Sequence, residues 1–332
     1  MPNGPYTTSD SRNYLGFGKE VTKATPVAPT VWAAFVGDAT IDHKLDIKGL
    51  KEAGGSGAIT LSEKMAEDPT GTFSLRGRPS PMGQFAAWLL GADSVGAAVS
   101  GVYPHTITPD LVTDYLTVET NLADDGIERI ADCVISEMVY EVSNSDSQIL
   151  KANGTWMGGT PAWQASATAE SYDAGTPFVL GDGTFTIDGG VAANVQKLTL
   201  NCQMRYDAEK ISDVVPLYLI KLGLDVTGTI EQLMLDVNAE YRKVLYGSTG
   251  GTTYQRNPQS TALTADFQYG AAGTLREFKL NVPTIDFTDA KYTPLNADGS
   301  AAHVMRSFQG RVAGGSPLIT ITAKTTDSAA YV

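Results

Sequence analysis

Strict two-residue alternation constrains this chain more than any other feature. In KLTLNCQMRYD, residues 197–207, Leu198, Leu200, Cys202, Met204 and Tyr206 alternate with Thr199, Asn201, Gln203, Arg205 and Asp207. In TALTADFQY, residues 261–269, Leu263, Ala265, Phe267 and Tyr269 alternate with Ala262, Thr264, Asp266 and Gln268. Segments of this kind bury one face and wet the other, so they belong to antiparallel sheets rather than to the continuous apolar strands of a doubly wound fold. PLITITAKT closes the chain in the same style.

An order of elements occurs twice. DPTGTFSLRG reads as a strand, PMGQFAAWLLGA as a helix with Met82, Phe85, Trp88 and Leu89 at helical spacing, and DLVTDYLTVET, IERIADCVISEMVYEV and ILKANGTWMGG as strands. The second pass runs LDVTGTIEQ, then LMLDVNAEYRKVLYG with Leu233, Met234, Val237, Tyr241, Val244 and Leu245 on one helical face, then STALTADFQY, LREFKLNVPTIDF and HVMRSFQGRV. Both passes open with Asp, any residue, Thr, Gly, Thr. The expected fold is mainly β, an antiparallel sandwich or barrel with one packed helix, duplicated in the chain. Residues 1–12 read as a flexible leader, 13–163 as the first β-domain and 164–332 as the second. Within the first, residues 49–70 carry three glycines in four positions and read as a long loop of the kind that contacts a partner.

Chemistry is hard to find. In the opening stretch, Gly16, Gly18 and Lys19 are followed by Glu20, which breaks the phosphate-loop pattern, and two prolines, Pro26 and Pro29, follow before Trp32. His43, His105 and His303 have no second ligand at metal spacing, and NADGSAAH lacks the remaining ligands of a calcium loop. Cys133 and Cys202 sit in apolar alternating segments and read as buried thiols. No nucleophile elbow occurs. The expectation is a non-enzyme with no cofactor and no metal. Without a basic-then-apolar leader or a run of about eighteen apolar residues, no membrane role is expected and the chain reads as soluble and made in a cytoplasm.

Lys and Arg number 24 against 37 Asp and Glu, a net charge of −13, which opposes tight binding to nucleic acid. A surface past which DNA slides should avoid phosphate contacts, so the charge does not exclude DNA as something the chain touches. Between Asp110 and Asp146 lie ten acidic residues and one base, Arg129. They read either as a solvated sheet face or as a negative wall.

The segments YLGFGKEVTKATPVAPT, YLTVET, ADCVISEMVYEV, TALTADFQY, LREFKLNVPTIDF and ITITAK together resemble the tail tube proteins of long-tailed bacteriophages, over roughly residues 13 to 325. The resemblance implies a virion structural protein that self-assembles into stacked rings, forming a hollow tail tube through which viral DNA passes without tight binding. It implies strands of neighbouring subunits joined around a channel, assembly in the host cytoplasm, and a tape-measure protein and tail terminator or tip proteins as partners. The expected ring is either trimeric and pseudo-sixfold, as a duplicated chain would allow, or hexameric, as in single-domain members. Asp114, Glu119, Glu137, Glu141, Thr199, Asn201, Gln203, Thr264, Asp266 and Gln268 are the candidate lumen-facing residues. Lys51, Glu52, Glu63, Lys64 and Glu67 in the 49–70 loop are the candidates for contact with the next ring, and the proline-rich opening arm reads as docking across a subunit boundary. The rival reading is a surface or tail-tip β-sandwich that binds carbohydrate or a receptor, motivated by Trp156 and Trp163.

Overall fold

The computed structural model describes residues 14–33, 39–50, 61–121, 126–192, 194–209, 218–233, 260–271, 273–293 and 303–332, with scattered positions between 242 and 253. The chain is mainly antiparallel β, as the alternation requires. The first run of elements is β1 (Leu15–Lys19), β2 (Val31–Trp32), β3 (Thr40–Leu50), β4 (Leu61–Arg76), α1 (Pro79–Leu90), β5 (Gly91–Val95), β6 (Tyr103–Pro109), β7 (Leu116–Asn121), β8 (Ile127–Ser143), β9 (Asp146–Met157) and β10 (Pro161–Gln164). The second run is β11 (Gly183–Ile187), β12 (Gly190–Val191), β13 (Val195–Glu209), β14 (Tyr218–Leu233), β15 (Ser260–Tyr269), β16 (Arg276–Thr293), β17 (His303–Gly310) and β18 (Thr320–Thr325).

The two runs carry matching ladders. The pairs β1–β2, β1–β7, β7–β8, β8–β9, β8–β10, β3–β4 and β4–β9 have counterparts in β11–β12, β11–β15, β15–β16, β16–β17, β16–β18, β13–β14 and β14–β17. Register irregularities match as well. Leu116/Val118 corresponds to Thr261/Leu263, Ile135/Glu137 to Phe287/Asp289, and Asp46/Ile47 to Arg205/Tyr206. The hairpin β5–β6 has no counterpart among the described residues of the second run.

One sheet runs β3-β4-β9-β8-β13-β14-β17-β16, every neighbour antiparallel. Its inward face is apolar: Phe73, Leu75, Trp156, Met138, Tyr140, Leu200, Cys202, Val226, Ile230 and Phe308 are all buried. Two further layers cover that face. β8 and β16 are long enough to leave the first sheet at a bulge and enter the second layer, β8 between β7 and β10 and β16 between β15 and β18. Asp132, at φ 57, turns the corner of β8, a conformation that Asp tolerates better than most residues. Phe17 on β1 meets Phe73 on β4 at 5.0 Å, and Tyr140 on β8 meets Phe278 on β16 at 5.5 Å, so the layers share one core.

Helix α1 begins with Pro79 in its first turn and ends at Gly91, whose φ of 101 favours glycine. The sequence pattern gives it one apolar face, yet nearly every residue is buried, because it is held between the first-run layers and β18. Phe85 contacts both Phe17 and Phe73 within 5 Å. The C-terminal tail locks the same region. Trp88 Nε1 donates to the Tyr331 carbonyl at 3.2 Å, and the Tyr331 ring stacks on His105, whose Nδ1 lies 2.8 Å from Asp93.

The repeated Asp-x-Thr-Gly-Thr acquires a physical reason here. Gly71 lies opposite Trp156 and Gly228 opposite Phe308 in the corresponding ladders. A Cβ on Gly71 would meet the Thr40 carbonyl oxygen at 2.4 Å and the Trp156 ring at 2.5 Å; on Gly228 it would meet the Thr199 oxygen at 2.4 Å and the Phe308 ring at 2.5 Å. Each glycine is the floor on which a large ring lies.

Two expectations need revising. Residues 61–70, read as part of a loop, belong to β4 and pair with β3 from Leu50↔Leu61 to Asp42↔Thr70, so the segment is an extended hairpin. The opening stretch is not a free arm: Phe17 is in the core, the Thr30 amide donates to the Phe17 carbonyl, and the Val27 amide donates to Thr117 Oγ1 at 3.0 Å. The prolines make a connection between β1 and β2 within the chain's own layer. The second expected helix falls largely on residues outside those described, as does the leader 1–12.

Lys221, on β14, is buried and its ammonium has no hydrogen-bond partner among the described residues. Burial pushes its pKa down to about 8, against the pull of Asp114 and Asp110. Because the unfolded chain then binds more protons, stability rises with pH between about 8 and the free lysine value near 10.4. Lys221→Met is therefore expected to stabilise the chain by about 1–3 kcal/mol at pH 7, with the gain shrinking above pH 9; thermal unfolding across this pH range measures it.

Candidate lumen face and assembly edges

The eight-strand sheet presents one open face. Since its apolar side is covered by the second layers and α1, only the polar side is left to solvent. Glu137 and Glu141 on β8 lie on that side, alternating with the buried Met138, Tyr140 and Val142. Thr199, Asn201 and Gln203 on β13 join them through direct pairing, with Thr199 opposite Glu141 and Gln203 opposite Glu137. Asn201 Nδ2 donates to Glu137 Oε1 at 2.7 Å. The face continues into Thr227 and Thr229 on β14 and Ser307 and Gln309 on β17, opposite each other in register. These residues escaped the sequence reading, although the Asp-x-Thr-Gly-Thr echo marks the same face of β4 and β14.

Charge on this face is mixed. Lys197 Nζ pairs with Glu141 at 2.7 Å and Arg205 Nε with Asp225 at 3.1 Å, while Lys151 reaches Asp146 at 2.5 Å. Among the described residues the acidic stretch does not make the continuous negative wall that one of its two readings gave, because its carboxylates are divided among different environments. Glu119 is fully buried. It accepts from the Tyr14 hydroxyl, from Arg129 Nε at 2.5 Å, and from the Thr168 amide at 3.0 Å and hydroxyl at 2.9 Å. Burial pushes its pKa up, but the bonds from Tyr14, Thr168 and Arg129 outweigh that and hold it below the usual glutamate value. Asp114 is buried too, paired with Lys19 at 3.3 Å, and burial raises its pKa in spite of that cation. Asp132 holds the β8 corner, accepting from the Ala24 amide at 2.7 Å and from Lys23 at 3.3 Å. Glu119 and Asp114 are buried structural groups and do not lie on the open face.

Thr264, Asp266 and Gln268 do not join Thr199, Asn201 and Gln203. They lie on β15, in the second layer, where Thr264 donates to Asn281 at 2.9 Å and Asp266 lies opposite Lys279. Two layers that pack apolar face to apolar face direct their polar faces oppositely. Burial and the charge of Glu277 raise the Asp266 pKa.

Of the expected contacts to the next ring, Lys51 and Glu52 lie outside the described residues. Glu63, Lys64 and Glu67 lie on β4, opposite Lys48, Ile47 and Leu45, in a two-stranded arm that extends past the last β4–β9 pair, Thr70↔Met157. Glu67 Oε1 pairs with His43 Nδ1 at 3.4 Å. Leu45 and Ile47 on this arm are 50% and 58% exposed. The β13–β14 arm occupies the corresponding place and exposes Tyr218, Ile220 and Leu222, its other face resting on Thr113 and Tyr115 through Leu219.

Trp156 and Trp163 form no common platform. Trp156 is in the core over Gly71, and Trp163 stands alone and exposed on β10, opposite Glu128. Among the described residues no group of three or more His, Cys, Asp and Glu is arranged to hold a metal ion.

Comparison with known proteins agrees with this architecture. No curated protein matched the chain. The family model described as phage tail tube protein matches residues 10–312, nearly the whole length. With antiparallel layers and, among the described residues, one open polar face and unpaired sheet edges, the chain belongs to the phage tail tube protein family, and is a structural component of a bacteriophage tail.

Proposed function

We propose that the chain self-assembles into closed rings that stack into a hollow tail tube, a conduit for viral DNA. The observation that carries this reading is the eight-strand sheet, polar on one face, apolar and covered on the other, with a free edge at each end. Such edges invite pairing with another chain, and closure into a barrel removes them. The open face then becomes the wall of the bore. It is threonine- and asparagine-rich, and Lys151, Lys197 and Arg205 are each paired with a carboxylate, so it offers hydration without the run of cations that would hold phosphates.

The matched ladders support reading the chain as two copies of one β-domain, about 13–163 and 164–332, so that three chains supply six equivalent sectors. The arms β3–β4 and β13–β14, with exposed apolar side chains, are directed to the next ring. In this reading the protein catalyses nothing and binds no cofactor; a tape-measure protein and tail terminator or tip proteins are its partners, and assembly occurs in the host cytoplasm. Negative-stain micrographs of the purified protein are expected to show rings or tubes with three chains per ring and an end view of sixfold appearance. A strictly monomeric species at high concentration would overturn the proposal.

A further inference from the structure

Within one chain the two strand sets are joined across the eight-strand sheet by a single ladder, β8–β13, from Lys197↔Ser143 to Gln203↔Glu137. The counterpart of β13 in the first set is β3, since Thr40 faces Thr72 as Thr199 faces Thr229. The counterpart of the C-terminal half of β8 is that of β16, since Glu137 and Asp289 follow the same bulge. Among the described residues no strand lies along the outer edge of β3 or along β16 beyond Phe287. The exposure of equivalent residues differs accordingly. Tyr140 of β8, opposite Leu200 of β13, is 1% exposed, whereas its counterpart Tyr292 of β16 is 46% exposed.

We infer that β3 of one chain pairs antiparallel with the C-terminal half of β16 of a second copy, in the register of the internal β8–β13 ladder. The inference rests on the tube reading and specifies its seam. Carrying the internal register over places Thr40 opposite Thr293, Ile41 opposite Tyr292, Asp42 opposite Lys291 and Lys44 opposite Asp289. Both charged positions therefore meet opposite charge, directly across the ladder, where cross-strand pairs interact most. Slippage is selected against. A shift by two residues sets Asp42 against Asp289 in one direction or Lys44 against Lys291 in the other, and a shift by one turns the charged side chains toward the covered face. On that face Ile41 covers the exposed Tyr292 ring, as Leu200 covers Tyr140. The contact is head-to-tail, each chain giving one edge and receiving the other, so it propagates until the ring closes.

Cysteine pairing tests the register. Directly opposite residues of antiparallel strands have Cα atoms about 4.5–5.5 Å apart, within reach of a disulfide. The native thiols, Cys133 and Cys202, are buried. In assembled protein carrying Asp42→Cys and Lys291→Cys, mild oxidation is expected to convert most chains into covalent oligomers ending at the ring size on a non-reducing gel. The slipped pair, Asp42→Cys with Asp289→Cys, is expected to cross-link several-fold more slowly, because its diagonal separation is about 7–8 Å. As a second readout, Lys291→Asp alone is expected to raise the concentration needed for assembly several-fold, and adding Asp42→Lys to restore it. Rings or tubes that form without the 42–291 cross-link, or whose assembly ignores both charge changes, overturn the seam while leaving the tube reading in place. Unmodified protein that stays monomeric on micrographs overturns both.

Discussion

Gly71→Val and Gly228→Val are each expected to lower the unfolding free energy by about 3 kcal/mol, at the upper end of overpacking costs. Strand propensity alone gives the opposite sign, since valine favours extended backbone and glycine weakens it. Sterics decide. A Cβ at either position would stand 2.4 Å from a backbone oxygen of the neighbouring strand and 2.5 Å from an aromatic ring that has no room to retreat, because Trp156 and Phe308 are themselves buried. Urea denaturation of each variant measures the loss. Thr227→Val, on the open face of β14 beside Gly228, serves as the comparison and is expected to change stability by no more than about 0.5 kcal/mol. Equal stability of Gly228→Val and the parent would show that the rings do not rest on the backbone as described.

Arg129→Leu is expected to cost about 3–5 kcal/mol, the range for removing one partner of a buried ion pair. Glu119 would remain buried and charged, with only Tyr14 and Thr168 to satisfy it. The pH dependence follows from the direction of its shift. Glu119 is held below its ordinary value in the fold, so its stabilising contribution is complete above the unfolded glutamate pKa near 4.3 and is lost as pH falls through its lower folded value. Losing the guanidinium weakens that depression. The gap between parent and variant should therefore be widest from about pH 5 upward and narrow under acid, and denaturation at pH 7 and pH 3.5 checks it. A gap independent of pH would place the loss in packing instead.

Strand periodicity was legible in several strands with one buried face, though not in β6 or β11, whose alternating segments are short. β13, β15 and β18 read directly from alternation, and α1 from its helical spacing and the glycine after it. The hairpin β3–β4 was not legible as far as Thr70, for a physical reason: its outer part projects beyond β9, and a strand with no buried face has no need to alternate. In LSEKMAEDPT, residues 61–70, no two-residue alternation appears, and the charges and the proline look like a polar loop. Alternation also marks which positions are wet without telling to which layer they belong. Thr199, Asn201 and Gln203 and Thr264, Asp266 and Gln268 have the same spacing, yet the fold directs them to opposite sides. The acidic stretch shows a related limit. Carboxylates adjacent in sequence are separated once β8 passes from one layer to the other, so that Glu119 and Asp132 serve hydrogen-bond networks while Glu137 and Glu141 meet water.

The two arms are equivalent in backbone register but not in what they expose, Leu45 and Ile47 on one, Tyr218, Ile220 and Leu222 on the other. A ring of three chains therefore carries two kinds of arm in alternation around its rim. A neighbouring ring rotated by one sixth of a turn would present every arm with the wrong receptor, and only steps of a third of a turn leave the fit unchanged. In the proposed ring, fusion of unlike halves would act as a rotational key: it would halve the number of permitted settings between successive rings and give the stack a defined angular phase that six identical sectors could not encode.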